Sequence, residues 1–216
     1  MTGFQGKQAD TVMLYFPLEF NLRHNISEET ARADLEFYAA HTAPSPDMTH
    51  AIQAVAALDR AALSTNPKWR ALADAEFLNS YQKFCFKPFY MFSENSNNGG
   101  DVLYLTSGAG FLQTLIYGYG GVRVLPDALQ LRPVLPPNAT HFALRGIEYM
   151  GAVLSLVLDG SGTKMTVAMT SGGSSGKMTL TDSSGKTSVL AKGASAWTGA
   201  AQRVTVAVGK DSLSDS

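Results

Sequence analysis

The chain has 216 residues, 45% of them hydrophobic, and sets 17 Lys and Arg against 18 Asp and Glu for a formal net charge of -1. That apolar content is ample for a real core and excludes a disordered chain, while near-neutral charge with scattered basic residues excludes the electrostatic footprint of a nucleic-acid binder. No stretch reaches the ~18 to 20 apolar residues of a membrane span, and the single cysteine, Cys85, excludes an internal disulfide.

In chain order, TVMLYFPLEFNL over residues 11–22 reads as a buried apolar run in which Pro17 blocks a helix. Ser27 is placed to cap a helix over residues 28–40, with Ala31, Leu35 and Tyr38 on its buried face and Glu28 and Glu29 at the end where the dipole favours acid. The Pro-rich HTAPSPD connects it to an alanine-rich second helix, capped by Asp47 or Thr49 and running through Leu63, with Ile52, Val55, Ala56 and Leu58 set for close packing. A third helix, over residues 68–84, turns Leu72, Ala75, Phe77 and Leu78 inward. Cys85, between Phe84 and Phe86, reads as a small buried hydrophobe.

Residues 87–124 concentrate the chemistry. Glu94 stands between the aromatics Phe89, Tyr90 and Phe92 and a Gly/Asn loop, where Asp101 reads as a turn residue. Thr106 and Ser107 are N-cap types, so they predict a short helix with Phe111, Leu112, Leu115 and Ile116 on one core-facing side and Gly118, Gly120 and Gly121 at its end. The free amides of that helix start, with Glu94 one loop away, are a place where substrate oxygens and a carboxylate meet. By pattern alone the same residues also describe a capped buried helix with a solvated glutamate upstream.

Beyond Arg123 the texture changes. Pro126, Pro133, Pro136 and Pro137 punctuate a crossing segment, and from Thr140 the apolar period falls to two in HFALRGIEYMG, AVLSLVLDG, TKMTVAMT, KMTLTD, TSVLAKG and RVTVAVG. Residues 182–185 read as a hairpin turn, and residues 171–176 as a hairpin loop. The predicted class is therefore α+β: a helical half over residues 4–118, an antiparallel β-sandwich after it, and a boundary near Leu125 that yields domains 1–125 and 126–216.

Three ordered stretches resemble glycoside hydrolase family 65. They are FSEN followed by LTSGAGFLQTLIYGYGGVRV, GKQAD beginning at Gly6 and followed by TVMLYFPLEF, and HTAPSPDMTH over residues 41–50, together covering roughly residues 5 to 157. The chain is most similar to the acid trehalase-like and glucosylgalactosyl-hydroxylysine glucosidase hydrolases of that family. The resemblance implies that the helical half is the C-terminal part of a catalytic (α/α)6 barrel. Glu94 falls where the hydrolases place the base that activates water, and Lys7 and Gln8 where the family contacts the sugar of the innermost subsite. The general acid belongs to an earlier stretch of the barrel, upstream of the Lys-Gln pair, so the chain is expected to be inactive until a preceding barrel segment is supplied. The partner implied is a small carbohydrate or a glycosylated lysine, with no cofactor, and there is no zinc-ligand pattern in the chain.

The family's phosphorylases place a His just ahead of the small-residue helix, where this chain has Tyr104 and Leu105. That favours an inverting hydrolase of an α-glucosyl disaccharide, with phosphorolysis or a non-catalytic carbohydrate-binding module as alternatives. Glu19, Asp47, Asp101 and Glu148 match no acid motif, and His41 and His50 read as structural.

Overall fold

A computed structural model of the chain describes residues 6–19, 24–43, 46–96, 102–172, 178–193, 196–200 and 204–208. The chain divides into two units, Met1–Gly118 and Tyr119–Ser216. In the first, side-chain caps set two of the four helix starts among the described residues. The Ser27 hydroxyl accepts the Thr30 amide at 3.1 Å and opens α1 (Glu28–His41). Asn66 accepts the Lys68 amide at 3.0 Å and opens α3 (Pro67–Gln82), with Pro67 at the position where a missing N–H breaks no helical bond. Between them lies α2 (Met48–Ala62), preceded by Asp47, which makes no capping bond with its side chain.

The fourth helix, α4 (Leu105–Gln113), continues into a π-helical turn, Thr114–Tyr119. It does not start at the expected caps. The Tyr104 amide is pinned to the Phe92 carbonyl at 2.8 Å, and the Ser107 and Gly108 amides turn back to the Tyr104 carbonyl at 3.1 and 3.4 Å. Thr106 and Ser107 therefore lie inside the first turn.

The centre of this unit is α2, buried continuously from Gln53 to Arg60 and packed by α1, α3 and α4. What α4 shows it is a stripe of small residues, Ser107, Gly110, Thr114 and Gly118, at spacings of three and four. A Cβ at Gly110 would stand 2.8 Å from the Ala51 Cβ, and one at Gly118 2.8 Å from Leu58 Cδ1. The backbones thus approach closely, and the expected apolar stripe is displaced outward: Leu112 is 57% exposed and Ile116 39%, with Phe111 and Leu115 half-buried. Gly118 sits within the π-helical turn, and the chain turns off at Gly120 and at Gly121, whose φ is +59°.

The inward face of α3 is Trp69, Ala73, Phe77 and Ser80, while Ala75 is exposed and Leu72 and Leu78 are half-buried. Apolar residues occur all round this helix, and burying the large indole decides the phase. Of residues 11–22, Val12, Tyr15 and Phe16 are buried around a 3-10 turn, Val12–Leu14, but Met13 and Leu18 face solvent. Residues 20–22, and Asp101, lie outside the described residues. Cys85 is half-buried in β1 (Cys85–Phe86), which pairs with β2 (Met91–Phe92).

The second unit contains β3 (Arg123–Val124), β4 (Leu129–Leu131), β5 (Phe142–Tyr149), β6 (Ala152–Leu158), β7 (Lys164–Gly172), β8 (Met178–Thr181), β9 (Thr187–Val189), β10 (Ala196–Ala200) and β11 (Val204–Val208). They form antiparallel sheets of order β10-β7-β6-β5 and β3-β4-β11-β8-β9. Each sheet has one buried face, carried by Leu154, Leu156, Met165 and Val167 in the first and Leu129, Leu131, Leu180 and Val206 in the second. The residue 182–185 turn is the expected hairpin, with Gly185 at φ +84° and the Asp182 amide on the Lys186 carbonyl at 3.0 Å. Residues 171–176 do not join a hairpin, because β7 and β8 belong to different sheets; residues 173–177 lie outside the described residues.

Strands β3 and β4 occupy ground expected to be an irregular crossing segment. They pair with each other, the Arg132 amide bonds to Gly121 at 3.1 Å, and the Val134 amide to Tyr119 at 2.8 Å. These bonds tie the stretch from Tyr119 onward to the strands, so the division falls ahead of Leu125. Among the described residues, no helix is long and apolar enough to cross a membrane.

Candidate active site

Main-chain bonds join the three signature stretches. The Gly6 amide donates to the His41 carbonyl at 2.8 Å, and the Ala43 amide to the Gly6 carbonyl at 2.8 Å. Lys7 and Gln8 follow directly on this bridge, Lys7 exposed and Gln8 half-buried. At the far end of the same stretch the Asp47 amide donates to the Glu94 carbonyl at 3.2 Å. Residues 41–50 are thus bonded to both the Lys-Gln segment and the Glu94 turn. Among the described residues, the side chains of Lys7, Gln8 and Glu94 exchange no hydrogen bond or ion pair with one another.

Glu94 is half-buried, in a bend that the β1–β2 pair delivers. The preceding Ser93 is buried, donates its amide to the Phe84 carbonyl at 2.9 Å, and bridges to Val102. Phe89, Tyr90, Met91 and Phe92, with Tyr104 and Leu105, line an open apolar cleft of ≈ 590 Å³. Phe92 packs on Phe111 with ring centroids 5.9 Å apart, whereas Phe89 and Tyr90 are largely exposed. Exposed rings offer flat apolar faces to a ligand, but Glu94 is not among the described residues that line this cleft.

Behind the Glu94 turn sits a carboxyl that sequence reasoning passed over. Asp47 is 1% exposed, and burial pushes its carboxyl up to about 6, against the smaller downward pulls of the Ser107 hydroxyl and His50. The Ser107 hydroxyl faces it, yet neither carboxyl oxygen nor that hydroxyl completes a hydrogen bond of good geometry. His50 is also buried, its Nδ1 2.5 Å from Glu76 Oε2 and its ring 5.3 Å from that of Phe84. Burial, and then the charge of Asp47, raise the Cys85 thiol. The available signal was spacing: Asp47 precedes His50 by one helical turn, inside a stretch already marked as a signature. His41, by contrast, bonds through Nδ1 to the Phe37 carbonyl at 2.7 Å and stacks on the Phe37 ring. Among the described residues, no group of three or more His, Cys, Asp or Glu is gathered to hold a metal.

No family model matches the chain. It is similar to the protein-glucosylgalactosylhydroxylysine glucosidase of Danio rerio, 33% identical over 198 residues that make up 89% of this chain and 28% of that protein. It is also similar to the acid trehalase of Emericella nidulans, 35% identical over 159 residues, 69% of this chain and 14% of that one. Among solved structures it is similar to a putative kojibiose phosphorylase from human microbiome, with a TM-score of 0.62 at 17% identity, covering 90% of this chain and 23% of that chain. That last likeness is one of fold. The chain spans less than a third of the length of each of these proteins. With its three signature stretches joined by main-chain bonds and with glucosidase and trehalase relatives along most of its length, the chain belongs to the glycoside hydrolase family 65 group that includes the acid trehalases and the glucosylgalactosylhydroxylysine glucosidases.

Proposed function

We propose that this chain is the C-terminal part of an inverting glycoside hydrolase that releases glucose from an α-glucosyl disaccharide, free as in trehalose or attached to hydroxylysine in a protein. The helical unit closes the catalytic (α/α)6 barrel, and the strand unit is a β-sandwich in which the two buried sheet faces meet. Inversion needs an acid and a base roughly 6.5–9.5 Å apart, so that a water fits between the base and the anomeric carbon. Glu94 is the base. Lys7 and Gln8 hold the innermost sugar, an ammonium and an amide together donating to and accepting from neighbouring hydroxyls. The general acid comes from the barrel segment that precedes this chain, and the scheme uses two carboxyls and a water with no cofactor.

The observation that carries this reading is the bonding of residues 41–50 to Gly6 on one side and to the Glu94 turn on the other. Segments more than 80 positions apart in the chain converge on one frame, as a binding pair and a base must if they are to address one sugar. The test is glucose release from trehalose and from glucosyl-galactosyl-hydroxylysine by the complete protein that carries this chain, with and without phosphate. Glu94→Gln should lower turnover by about 10²- to 10⁴-fold, the range general-base catalysis contributes, and unchanged turnover would remove Glu94 from the mechanism. Release that depends on phosphate would make the protein a phosphorylase. Sugar binding without turnover would make it a binding module.

A further inference from the structure

Asp47 stands between the Glu94 turn and the start of α4. Its main-chain amide holds the Glu94 carbonyl at 3.2 Å. Its carboxyl faces Ser107 in the first turn of α4, which begins where the chain returns after Glu94, and both residues are 1% exposed. The fold does not require a carboxyl here. Asp47 makes no capping bond to α2, and its two oxygens and the Ser107 hydroxyl are buried without well-formed hydrogen bonds. An asparagine would fill nearly the same volume without the desolvation cost of a charge. Ionisable groups kept buried at such a cost gather at functional sites.

We infer that Asp47 is a positioning residue for Glu94, tying the turn that carries it to the start of α4 through Ser107 so that the base keeps one place relative to the sugar. The inference rests on the Glu94 reading above. The charge that acts on Asp47 is that of His50, from α2 and itself held by Glu76 of α3, while Asp47 in turn raises the Cys85 thiol of β1; Ser107 faces it from α4. Protonated, the Asp47 carboxyl offers a donor to the Ser107 hydroxyl it faces; ionised, it offers only acceptors. The tie therefore reorganises across the pH range in which Asp47 titrates, which burial moves up to about 6. Glu94 touches the reacting water in this scheme; Asp47 acts only through it.

The test compares Asp47→Asn, Asp47→Ala and Ser107→Ala with Glu94→Gln in the complete protein, measuring kcat and KM across pH and thermal unfolding of each variant. Asp47→Ala should lower kcat by roughly 10²-fold, the scale of a misplacement near 1 Å, with little change in KM. Asp47→Asn should remove the inflection near pH 6 from the kcat profile while the protein stays folded. Should Asp47→Ala fail to fold, Asp47→Asn and Ser107→Ala carry the comparison. Wild-type kcat and pH profile in both of these, beside an inactive Glu94→Gln, would overturn the positioning role and leave the Glu94 reading standing. Normal turnover in Glu94→Gln would overturn the Glu94 reading and the positioning role with it. A second measurement needs no catalysis: in the complete protein, Ser107→Ala should lower the hydrogen-exchange protection of the residue 47 amide several-fold, and unchanged protection would break the proposed tie.

Discussion

The two units bury different things. The strand unit hides apolar side chains in alternation, Leu154, Leu156 and Leu158 on β6 and Met165, Val167 and Met169 on β7, and among its described residues only Arg123 and Gln130 are buried polar groups. The helical unit hides Asp47, Thr49, His50, Gln53, Asp59, Arg60, Ser80, Ser93, Ser107 and Thr114. Sheet pairing satisfies the backbone by itself, so a strand needs only apolar side chains on its inner face. Polar side chains inside a helical core need partners of their own, and most have them. Arg60 pairs with Glu28 at 3.0 Å and lies 5.8 Å from the Tyr15 ring, whose hydroxyl donates to Asp34. Asp47 has no such pairing, and among the described residues Thr49 Oγ1, Gln53 Nε2 and Ser107 Oγ share that lack; the Asp47 amide bonds to the Glu94 carbonyl. The contrast separates a unit with an apolar core from one that buries polar groups at a cost.

Each unit has its own reporter, Trp69 in the helices and Trp197 in the strands, so Trp69→Phe and Trp197→Phe backgrounds make the two unfolding transitions separately visible by fluorescence. The largest effect expected is in the scaffold. Leu156→Ala, at a fully buried position, should destabilise the strand transition by about 2–5 kcal/mol. A loss below about 1 kcal/mol would mean that the sheet faces are not close-packed.

Asp47→Asn should act in the opposite direction on the helical transition. The folded pKa of about 6 lies above the ordinary 3.8, so the native state holds this proton more tightly than the unfolded chain does. The destabilisation is therefore absent below the ordinary value, grows as pH rises between the two, and is complete above about 6. Removing the charge should stabilise the protein by about 2–3 kcal/mol near pH 7.5 and by almost nothing below about pH 4. A pH-independent effect would contradict the burial argument.

Gly110→Ala tests the close approach of α4 to α2. The added methyl would meet Ala51 at 2.8 Å, so overpacking of about 1–3 kcal/mol should outweigh the roughly 1 kcal/mol that alanine gains in helix propensity. A stabilised variant would show that the two helices have room to part. The smallest effect is Ser27→Ala, which removes the α1 cap and should lower stability by about 1 kcal/mol at any salt concentration.

Local signals were legible where one residue decides the outcome. The Ser27 cap, the exclusion of a helix at Pro17, and the residue 182–185 turn all rest on side chains or glycines acting within a few positions of themselves. The alternation of strands β6 and β7 was equally plain, because a half-buried strand shows its period directly. The phases of α3 and α4 were not. Each carries apolar residues on more than one face, and pattern alone favoured leucine and isoleucine over the glycines and serine that pack inward. Glu94, Lys7 and Gln8 were marked through resemblance, and the structure shows what links their segments. Asp47 was set aside because it matches no acid motif, and beside a helix start it also reads as a cap.

By itself the sequence determined a mixed chain of helices and antiparallel strands, the order of its elements, and membership of a glucosidase and trehalase group through motifs read in order. Those properties depend on neighbours in the chain. Tertiary structure decided that α4 turns its small residues to α2, that β7 and β8 enter different sheets, and that residues 41–50 bond to Gly6 and to Glu94. It also decided that Asp47 is buried without a well-formed partner. Each of these depends on which distant segment fills the space beside a residue, and close approach, sheet membership and desolvation are set by that neighbour rather than by the residue's own chain.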